Sequence, residues 1–241
     1  MYMRKYDKHY RRIFKHTKFP FTKLKGNATG NKSQYSDEEK TLLVIAENMR
    51  EISYTLNYLN DSRLYLYSNP SPFLKTKIPN ARYLNYHMHS YFNNAYILKG
   101  RMISFLQMMK KASKDIETKK LADSFCAIIE KYFEKYKKIR NDYTHIVRYI
   151  DYDISTLETF ESAYGSSFID SGKIVKKGHV SMAYSEVKKN WLKFMKTSNI
   201  AISSLVSEYF DFITELILNK NGSLKILLKK YSYEQSRKTE L

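Results

Sequence analysis

An unbroken heptad pattern of apolar residues constrains the fold of this 241-residue chain more than any other feature of its sequence. The apolar positions alternate steps of four and three residues, through Leu84, Met88, Tyr91, Ala95, Leu98, Met102, Phe105 and Met109. Such a stripe follows one face of an α-helix and requires a partner helix along its whole length, either within the chain or from a second copy. Its methionines and tyrosine are therefore predicted as packing residues rather than as part of a cofactor site.

Helical spacing of apolar residues recurs along the rest of the chain. Before the first such stretch, Ser36 and Glu39 have the spacing of a capping box, which predicts a helix start. Only 7 Gly and 4 Pro are present, and this scarcity favours long helices over a many-stranded sheet. We predict an all-α helical bundle with four principal long helices, near residues 37–60, 81–111, 115–147 and 184–219.

Two connecting segments depart from this pattern. Residues 61–80 contain three prolines and are predicted as a loop, because proline disrupts helices. Residues 150–182 hold three glycines and an alternating stretch at 173–177, which predicts a small irregular or β-hairpin insertion before the last long helix. The predicted organisation is a basic aromatic arm, a helical bundle with this insertion, and a basic C-terminal segment: residues 1–35, 36–222 and 223–241.

The net charge of +18 is large and unevenly distributed. Residues 1–34 contain ten Lys and Arg against Asp7 alone. A positive excess of this kind indicates a polyanionic partner, either nucleic acid or an anionic membrane surface. No apolar run approaches the length of a membrane span, and the N-terminus does not resemble a secretory signal, so we expect a cytoplasmic protein.

The cysteine and histidine content argues against a metal site. A single cysteine, Cys126, excludes an internal disulfide framework and a cysteine-based zinc cluster. Because it lies in an apolar helical pattern, Cys126 is predicted as a buried small hydrophobic residue. His87 and His89 are two residues apart on a predicted helix, nearly opposite one another, and make a poor metal pair. We expect neither a metal nor another cofactor.

Aromatic side chains alternate with the charges of the N-terminal arm, and three interpretations remain open. Aromatic rings stack on unpaired bases while cations contact phosphates, a combination suited to single-stranded RNA. The same rings share one helical face with Ile13, which is also typical of a helix that packs on the bundle or lies on anionic lipid. Of the two macromolecular partners RNA is favoured over a membrane, with predicted contacts from Arg4, Lys5, Arg11 and Arg12.

The most informative short stretch is Arg140-Asn141-Asp142-Tyr143-Thr144-His145, near the predicted end of the third helix. Histidine can move a 2′-hydroxyl proton near neutral pH, and arginine can stabilise a phosphate as it gains charge. On a continuous helix, five residues correspond to about 140° of rotation, so Arg140 and His145 would not share a face. Their convergence in one site requires a helix break or a second copy of the chain. Such a pair also occurs by chance, as structural or surface residues.

The pattern Arg140-Asn141-x-x-x-His145 resembles the signature of the HEPN superfamily, in which these residue types stand late in a core helix of a helical bundle. The resemblance implies a metal-independent endoribonuclease that acts as a homodimer, with the motifs of both subunits lining one composite cleft. It assigns stabilisation of the scissile phosphate to Arg140, general acid or base catalysis to His145, and orientation of the phosphate or the histidine to Asn141. The adjacent Lys137 and Lys138 are predicted RNA contacts.

The resemblance also implies a biological context. Active HEPN members are common among the toxins of toxin–antitoxin pairs and in phage-defence systems, so an antitoxin or another regulatory partner is expected. Some toxin members carry a tyrosine two residues after the histidine, where an antitoxin can modify it, whereas this chain has Val147 there. The alternative function is that of a non-catalytic RNA-binding or scaffold protein with a HEPN-like bundle, in which Arg140 and His145 are structural residues at a helix end.

Overall fold

The computed structural model describes residues 36–68, 78–145, 152–165 and 177–219, together with Ile13, residues 223–226 and Leu228. The described residues form five α-helices: α1 (Asp37–Tyr67), α2 (Asn80–Ala112), α3 (Ile116–His145), α4 (Tyr152–Gly165) and α5 (Lys177–Ile217). The described part of the chain contains no strand beyond a single antiparallel bridge between Leu218 and Leu224. The prediction of an all-α protein with four principal long helices is confirmed, because α1, α2, α3 and α5 each span at least 30 residues.

Polar side chains next to the helix starts explain where α1 and α3 begin. The backbone N–H of Ser36 donates to Glu39 Oε2 at 2.9 Å, and the N–H of Glu39 donates to Ser36 Oγ at 3.2 Å. This reciprocal pair is the predicted capping box. Before α3, the carboxylate of Asp115 accepts hydrogen bonds from the N–H groups of Glu117 and Thr118. Both arrangements satisfy N–H groups that have no partner inside the helix.

The heptad stripe of α2 is the centre of the packing. All eight of its residues, from Leu84 to Met109, are 0% exposed in the single chain. The chain's own side chains therefore cover the stripe, and no second copy is needed for that purpose. The burial also confirms that the methionines and the tyrosine of the stripe are packing residues.

The chain divides into two compact units, which we describe separately. Unit 1 comprises residues 1–54, 99–131 and 204–241. Its aromatic core includes Phe125, whose ring stacks on Phe212 with 4.4 Å between centroids, and Tyr209, whose hydroxyl donates to the Met102 carbonyl at 2.9 Å. Ion pairs also connect its helices, through Lys99–Glu130, Arg101–Glu51 and Lys110–Asp123.

Unit 2 comprises residues 55–98 and 132–203. Its aromatic core gathers rings from α2, α3 and α5, including Phe92, Tyr136, Trp191 and Phe194. A buried polar network accompanies them. The hydroxyl of Tyr91 donates to Asn199 Oδ1 at 2.8 Å, and Nδ2 of Asn199 donates to Asn60 Oδ1 at 3.0 Å. Burial raises the pKa of Tyr91 far above its ordinary value, so the hydroxyl remains a donor.

Two of the predicted helices were too short at one end. Helix α1 continues to Tyr67 instead of ending near residue 60, because Leu66 extends the buried stripe by seven residues beyond Leu59. The predicted loop over residues 61–80 is correspondingly shorter. Helix α5 begins at Lys177 rather than near residue 184, and Val180 is already buried in its first turn.

The β-hairpin interpretation of the insertion is wrong for residues 152–165, which form helix α4. Ile154 and Leu157 are buried and lie three residues apart, a spacing that places them on one helical face. Glu161 of the same helix accepts hydrogen bonds from the N–H groups of Asn80 and Ala81, at 2.8 and 3.1 Å, and so caps the start of α2. The stretch at 173–176, on which the hairpin interpretation depended, lies outside the described residues.

Candidate functional site

The predicted motif occupies the end of α3 in unit 2. Helix α3 runs without a break through Arg140 and Asn141 and ends at His145. A helix break between Arg140 and His145, one of the two ways in which they could converge, is therefore excluded. The two positions lie about 140° apart around the helix axis. Of the two routes to a shared site, a second copy of the chain is the one that remains.

Arg140 is half-buried and its guanidinium has defined contacts. It lies over the ring of Tyr96 from α2, with 4.6 Å between Cζ and the ring centroid. Its Nη1 also donates to Oδ1 of the neighbouring Asn141 at 3.3 Å. The charge of the guanidinium is attracted to the face of the ring, and the planar donor fork of arginine is of a kind that suits a phosphate. Tyr96 is a contact that sequence spacing could not reveal, because it belongs to another helix.

The remaining motif residues are placed only as helix positions. The side chains of residues 142–145, His145 among them, lie outside the described part of the structure. The helix shows that His145 is the last residue of α3, five positions after Arg140. Its role therefore stays a prediction from the sequence.

Exposed lysines accompany the motif. Lys137 and Lys138, both predicted RNA contacts, are exposed on the last turns of α3. One turn earlier, the Nζ of Lys135 lies 5.3 Å from the ring centroid of Phe194 on α5. Helix α5 adds Lys189, Lys193 and Lys196, which are exposed and were not singled out from the sequence. Their spacing of four and three residues was the available signal, since it places them on one face of a helix.

The other predicted contacts fall outside the described residues. Arg4, Lys5, Arg11 and Arg12 belong to the N-terminal arm, of which the structure describes Ile13 alone. Ile13 is 0% exposed. At this one position, burial supports the interpretation of the arm as a packing segment.

Cys126 and His87 have environments that differ from a reactive or metal-binding one. Cys126 is half-buried rather than buried as predicted, although it shares one helical stripe with the buried Ala122, Ile129 and Phe133. Burial raises the pKa of its thiol, which lowers the thiolate fraction. His87 is surrounded by the rings of Tyr65, Tyr83 and Tyr86, and burial lowers its pKa.

Three further features of the described residues are metal-binding clusters, membrane-spanning helices and surface depressions. No group of three or more His, Cys, Asp or Glu side chains in that part of the chain is arranged to hold a metal ion. None of its helices is long and apolar enough to cross a membrane. A shallow depression of about 290 Å³ in unit 1 is lined by Asp115, Glu117 and Glu215 among other residues. Three carboxylates around one opening do not suit an RNA phosphate.

The fold and the motif thus define an all-α protein with an arginine-containing helix end and exposed lysines beside it. Comparison of the chain with protein-family models, with curated proteins and with solved structures finds no match.

Proposed function

We propose that this protein is a metal-independent endoribonuclease of the HEPN type, in which Arg140 and His145 of two chain copies form one composite site. The observation that carries the proposal is the sequence Arg140-Asn141-x-x-x-His145 on the last turns of an unbroken helix in an all-α protein. The exposed Lys137 and Lys138 beside it supply positive charge for an RNA backbone. A cytoplasmic toxin or phage-defence effector with a regulatory partner is the corresponding biological role.

The chemistry follows from the residue types. The 2′-hydroxyl of the RNA attacks the adjacent phosphorus, and its proton passes to one His145 acting as a general base. The P–O5′ bond breaks, and a second acid, the His145 of the other copy, protonates the departing 5′-oxygen. Arg140 stabilises the charge that develops on the phosphate oxygens. The products are a 2′,3′-cyclic phosphate and a 5′-hydroxyl, and no metal takes part in any step.

The contacts of Arg140 support this assignment. The contact with the Tyr96 ring and the hydrogen bond to Asn141 both restrict the position of the guanidinium. A guanidinium held in place before the substrate arrives loses less conformational entropy when the transition state forms. Asn141 is in this view a positioning residue that acts through Arg140.

The test is cleavage of single-stranded RNA in EDTA by the full chain. His145→Ala should lower the rate by about 10²–10⁴-fold, the usual contribution of general acid–base catalysis, while the chain remains folded. His89→Ala, which changes an exposed histidine of α2, is the matched control and should retain activity. A 2′-deoxy substitution at the cut position should abolish cleavage. Activity that survives both His145→Ala and Arg140→Ala, or that requires a divalent ion, would contradict the proposal.

The second copy is tested separately. Sedimentation at micromolar concentration should show a homodimer, because one helix cannot bring positions 140 and 145 to the same side. A chain that cleaves RNA as a strict monomer would remove the composite site from the proposal. The roles of Arg140 and His145 in cleavage would then be decided by Arg140→Ala and His145→Ala alone.

The alternative function is RNA binding without cleavage, and one observation favours it. The contacts of Arg140 with Tyr96 and Asn141 are also what a structural residue at a helix end would make. A scaffold of this kind should bind RNA equally well before and after His145→Ala, and the wild-type chain should release no cyclic phosphate from any RNA tested.

A further inference from the structure

Three lysines form an exposed stripe on the first part of α5. Lys189, Lys193 and Lys196 recur at steps of four and three residues, so they lie on one side of the helix. The opposite side is occupied by the core, where Trp191 and Met195 are buried. The stripe is therefore a solvent-facing surface on a helix whose apolar face is already used.

Helix α3 adds further positive charge to unit 2. Lys135 and Lys138 are exposed one turn apart on α3, and Lys135 reaches the ring of Phe194 on α5, so α3 lies beside this part of α5. We call the stripe of Lys189, Lys193 and Lys196 on α5 the lysine face.

The charges of α5 are segregated along its length. Residues 177–203 contain five lysines and a single acid, Glu186, whereas residues 204–217 contain three acids and no basic residue. Helix α4, which also belongs to unit 2, carries Asp153, Glu158 and Glu161 and no basic residue. Most of the positive charge on the helices of unit 2 is thus on α3 and α5, and α1 and α2 add Arg63 and Arg82.

No carboxylate in the described part of the chain forms an ion pair with the lysine face. Among the described residues, Lys138, Lys189, Lys193 and Lys196 form no ion pair. In unit 1, by contrast, Lys99, Arg101 and Lys110 each meet a carboxylate of a neighbouring helix. Like charges one helical turn apart destabilise a helix about as much as opposite charges stabilise it. A stripe that carries this cost with no carboxylate partner among the described residues fits an external anion.

We infer that the lysine face binds the sugar-phosphate backbone of single-stranded RNA and holds the strand while its scissile phosphate occupies the composite site. This inference rests on the proposed function for its choice of RNA. The geometry favours RNA over a lipid surface, because a helix that lies in a membrane needs a free apolar face and that of α5 is buried in the core. Met182 and Ile200 are exposed on α5, but they are separate side chains and not a stripe.

The experiment compares two triple variants with the same loss of charge. One is Lys189→Ala with Lys193→Ala and Lys196→Ala. The other is Lys111→Ala with Lys119→Ala and Lys120→Ala, which removes three lysines of unit 1 from helices α2 and α3. Alanine is a good helix former, so neither triple removes helix-forming capacity. Fluorescence anisotropy then measures the binding of a 2′-O-methyl RNA strand, which lacks the free hydroxyl needed for cleavage, at several salt concentrations.

For the lysine-face triple, the slope of log K against log salt should fall by about 0.7 for each phosphate that is no longer neutralised, or about 2 in total. At about 0.15 M salt this corresponds to a loss of affinity of about 50-fold. The unit 1 triple should keep the slope of the wild-type chain. Equal losses of RNA affinity in both triple variants, or no loss in either, would overturn the inference. Retained RNA binding with lost binding to phosphatidylserine vesicles would assign the face to a membrane instead.

Failure of the inference is distinguishable from failure of the proposed function. If both hold, the lysine-face triple raises the KM for cleavage and leaves kcat nearly unchanged, because its residues contact the strand away from the reacting atoms. If the chain cleaves no RNA, the binding comparison still decides whether the face holds a polyanion. If cleavage depends on His145 while the triple leaves KM unchanged, the inference alone is wrong.

Discussion

The two units of this protein are built from the same four long helices, yet they use charged residues in opposite ways. Each of α1, α2, α3 and α5 contributes one part of its length to unit 1 and another part to unit 2. In unit 1, cations of α2 pair with carboxylates of α1 and α3. In unit 2, the exposed lysines of α3 and α5 lack such partners among the described residues, and a buried network of Tyr91, Asn199 and Asn60 accompanies the aromatic core.

The difference in charge pairing indicates that charged residues serve stabilisation in unit 1 and are available for recognition of a partner in unit 2. Charges that are matched within a unit contribute to its own structure and leave little net field for a partner. Charges that are collected on one face and left unmatched add little to stability, and they attract an anion over a distance of about a Debye length. The hydrophobic cores, by contrast, are alike in kind, since both consist of aromatic and aliphatic side chains from the same helices.

The largest expected effects on stability come from the two cores. Phe105→Ala in unit 1 and Phe92→Ala in unit 2 each remove a ring that is 0% exposed, and should each lower the free energy of unfolding by about 3–5 kcal/mol. Chemical denaturation measures both values. Ile200→Ala on the exposed side of α5 is the control and should change stability by no more than about 0.5 kcal/mol. A cost below about 1 kcal/mol for only one of the two rings would show that the cores are not equivalent.

A smaller effect should distinguish the buried hydroxyls of the two units. In unit 2, Tyr91→Phe leaves Oδ1 of the buried Asn199 without its donor, at a cost of about 1–3 kcal/mol. In unit 1, Tyr209→Phe removes a bond to the Met102 carbonyl, which helix geometry already provides with a partner. That change should cost about 0.5–1.5 kcal/mol. If Tyr209→Phe were the more damaging of the two, the polar network of unit 2 would not be its distinguishing feature.

Much of the fold could be predicted because helical periodicity is a local signal. The heptad stripe of α2 and the capping box at Ser36 were both confirmed, since each depends on residues close together in sequence. The end of α1 and the helix α4 were missed where prolines and glycines suggested a loop or a hairpin. There the buried positions of Leu66 and Leu157, which depend on tertiary packing, decided the structure.

The candidate site was predictable only in part. Spacing in the sequence predicts a motif at Arg140, and its role stays a prediction. Lys137 and Lys138, which were predicted as RNA contacts, are exposed. The stacking partner Tyr96 could not be predicted, because it comes from a different helix and no sequence pattern connects it to Arg140. Cys126 was predicted as buried and is half-buried, since helical spacing in the sequence does not say how completely the neighbouring helices cover a position.

A pH-dependent effect just below neutrality is expected in unit 2, at His87. Burial lowers the pKa of His87 in the folded chain, so the unfolded chain binds a proton at a higher pH. The contribution of His87 to stability is therefore fully present above its ordinary pKa of about 6.5. It is lost as the pH falls towards and through the lower pKa that His87 has in the folded chain. His87→Gln should flatten the fall in stability below about pH 6.5, whereas His89→Gln, at an exposed position, should not. Thermal denaturation at several pH values measures the difference, and identical profiles for both variants would contradict it.

The smallest expected effect tests the comparison most directly, because it concerns single surface charges. In unit 1, Nζ of Lys110 lies 2.6 and 2.7 Å from the two carboxylate oxygens of Asp123. Both side chains are more than a third exposed, so a double-mutant cycle of Lys110→Ala and Asp123→Ala should give a coupling of only about 0.2–1 kcal/mol. In unit 2, Lys193→Ala removes a charge whose neighbours one turn away are also positive, and should be neutral or stabilise by a few tenths of a kcal/mol. Added salt should weaken the coupling between Lys110 and Asp123. It should also reduce the stabilisation gained by Lys193→Ala, because salt screens both the attraction and the repulsion between exposed charges. Loss of stability on Lys193→Ala, comparable to that of Lys110→Ala, would mean that the lysine face contributes to the fold, and the contrast between the two units would fail.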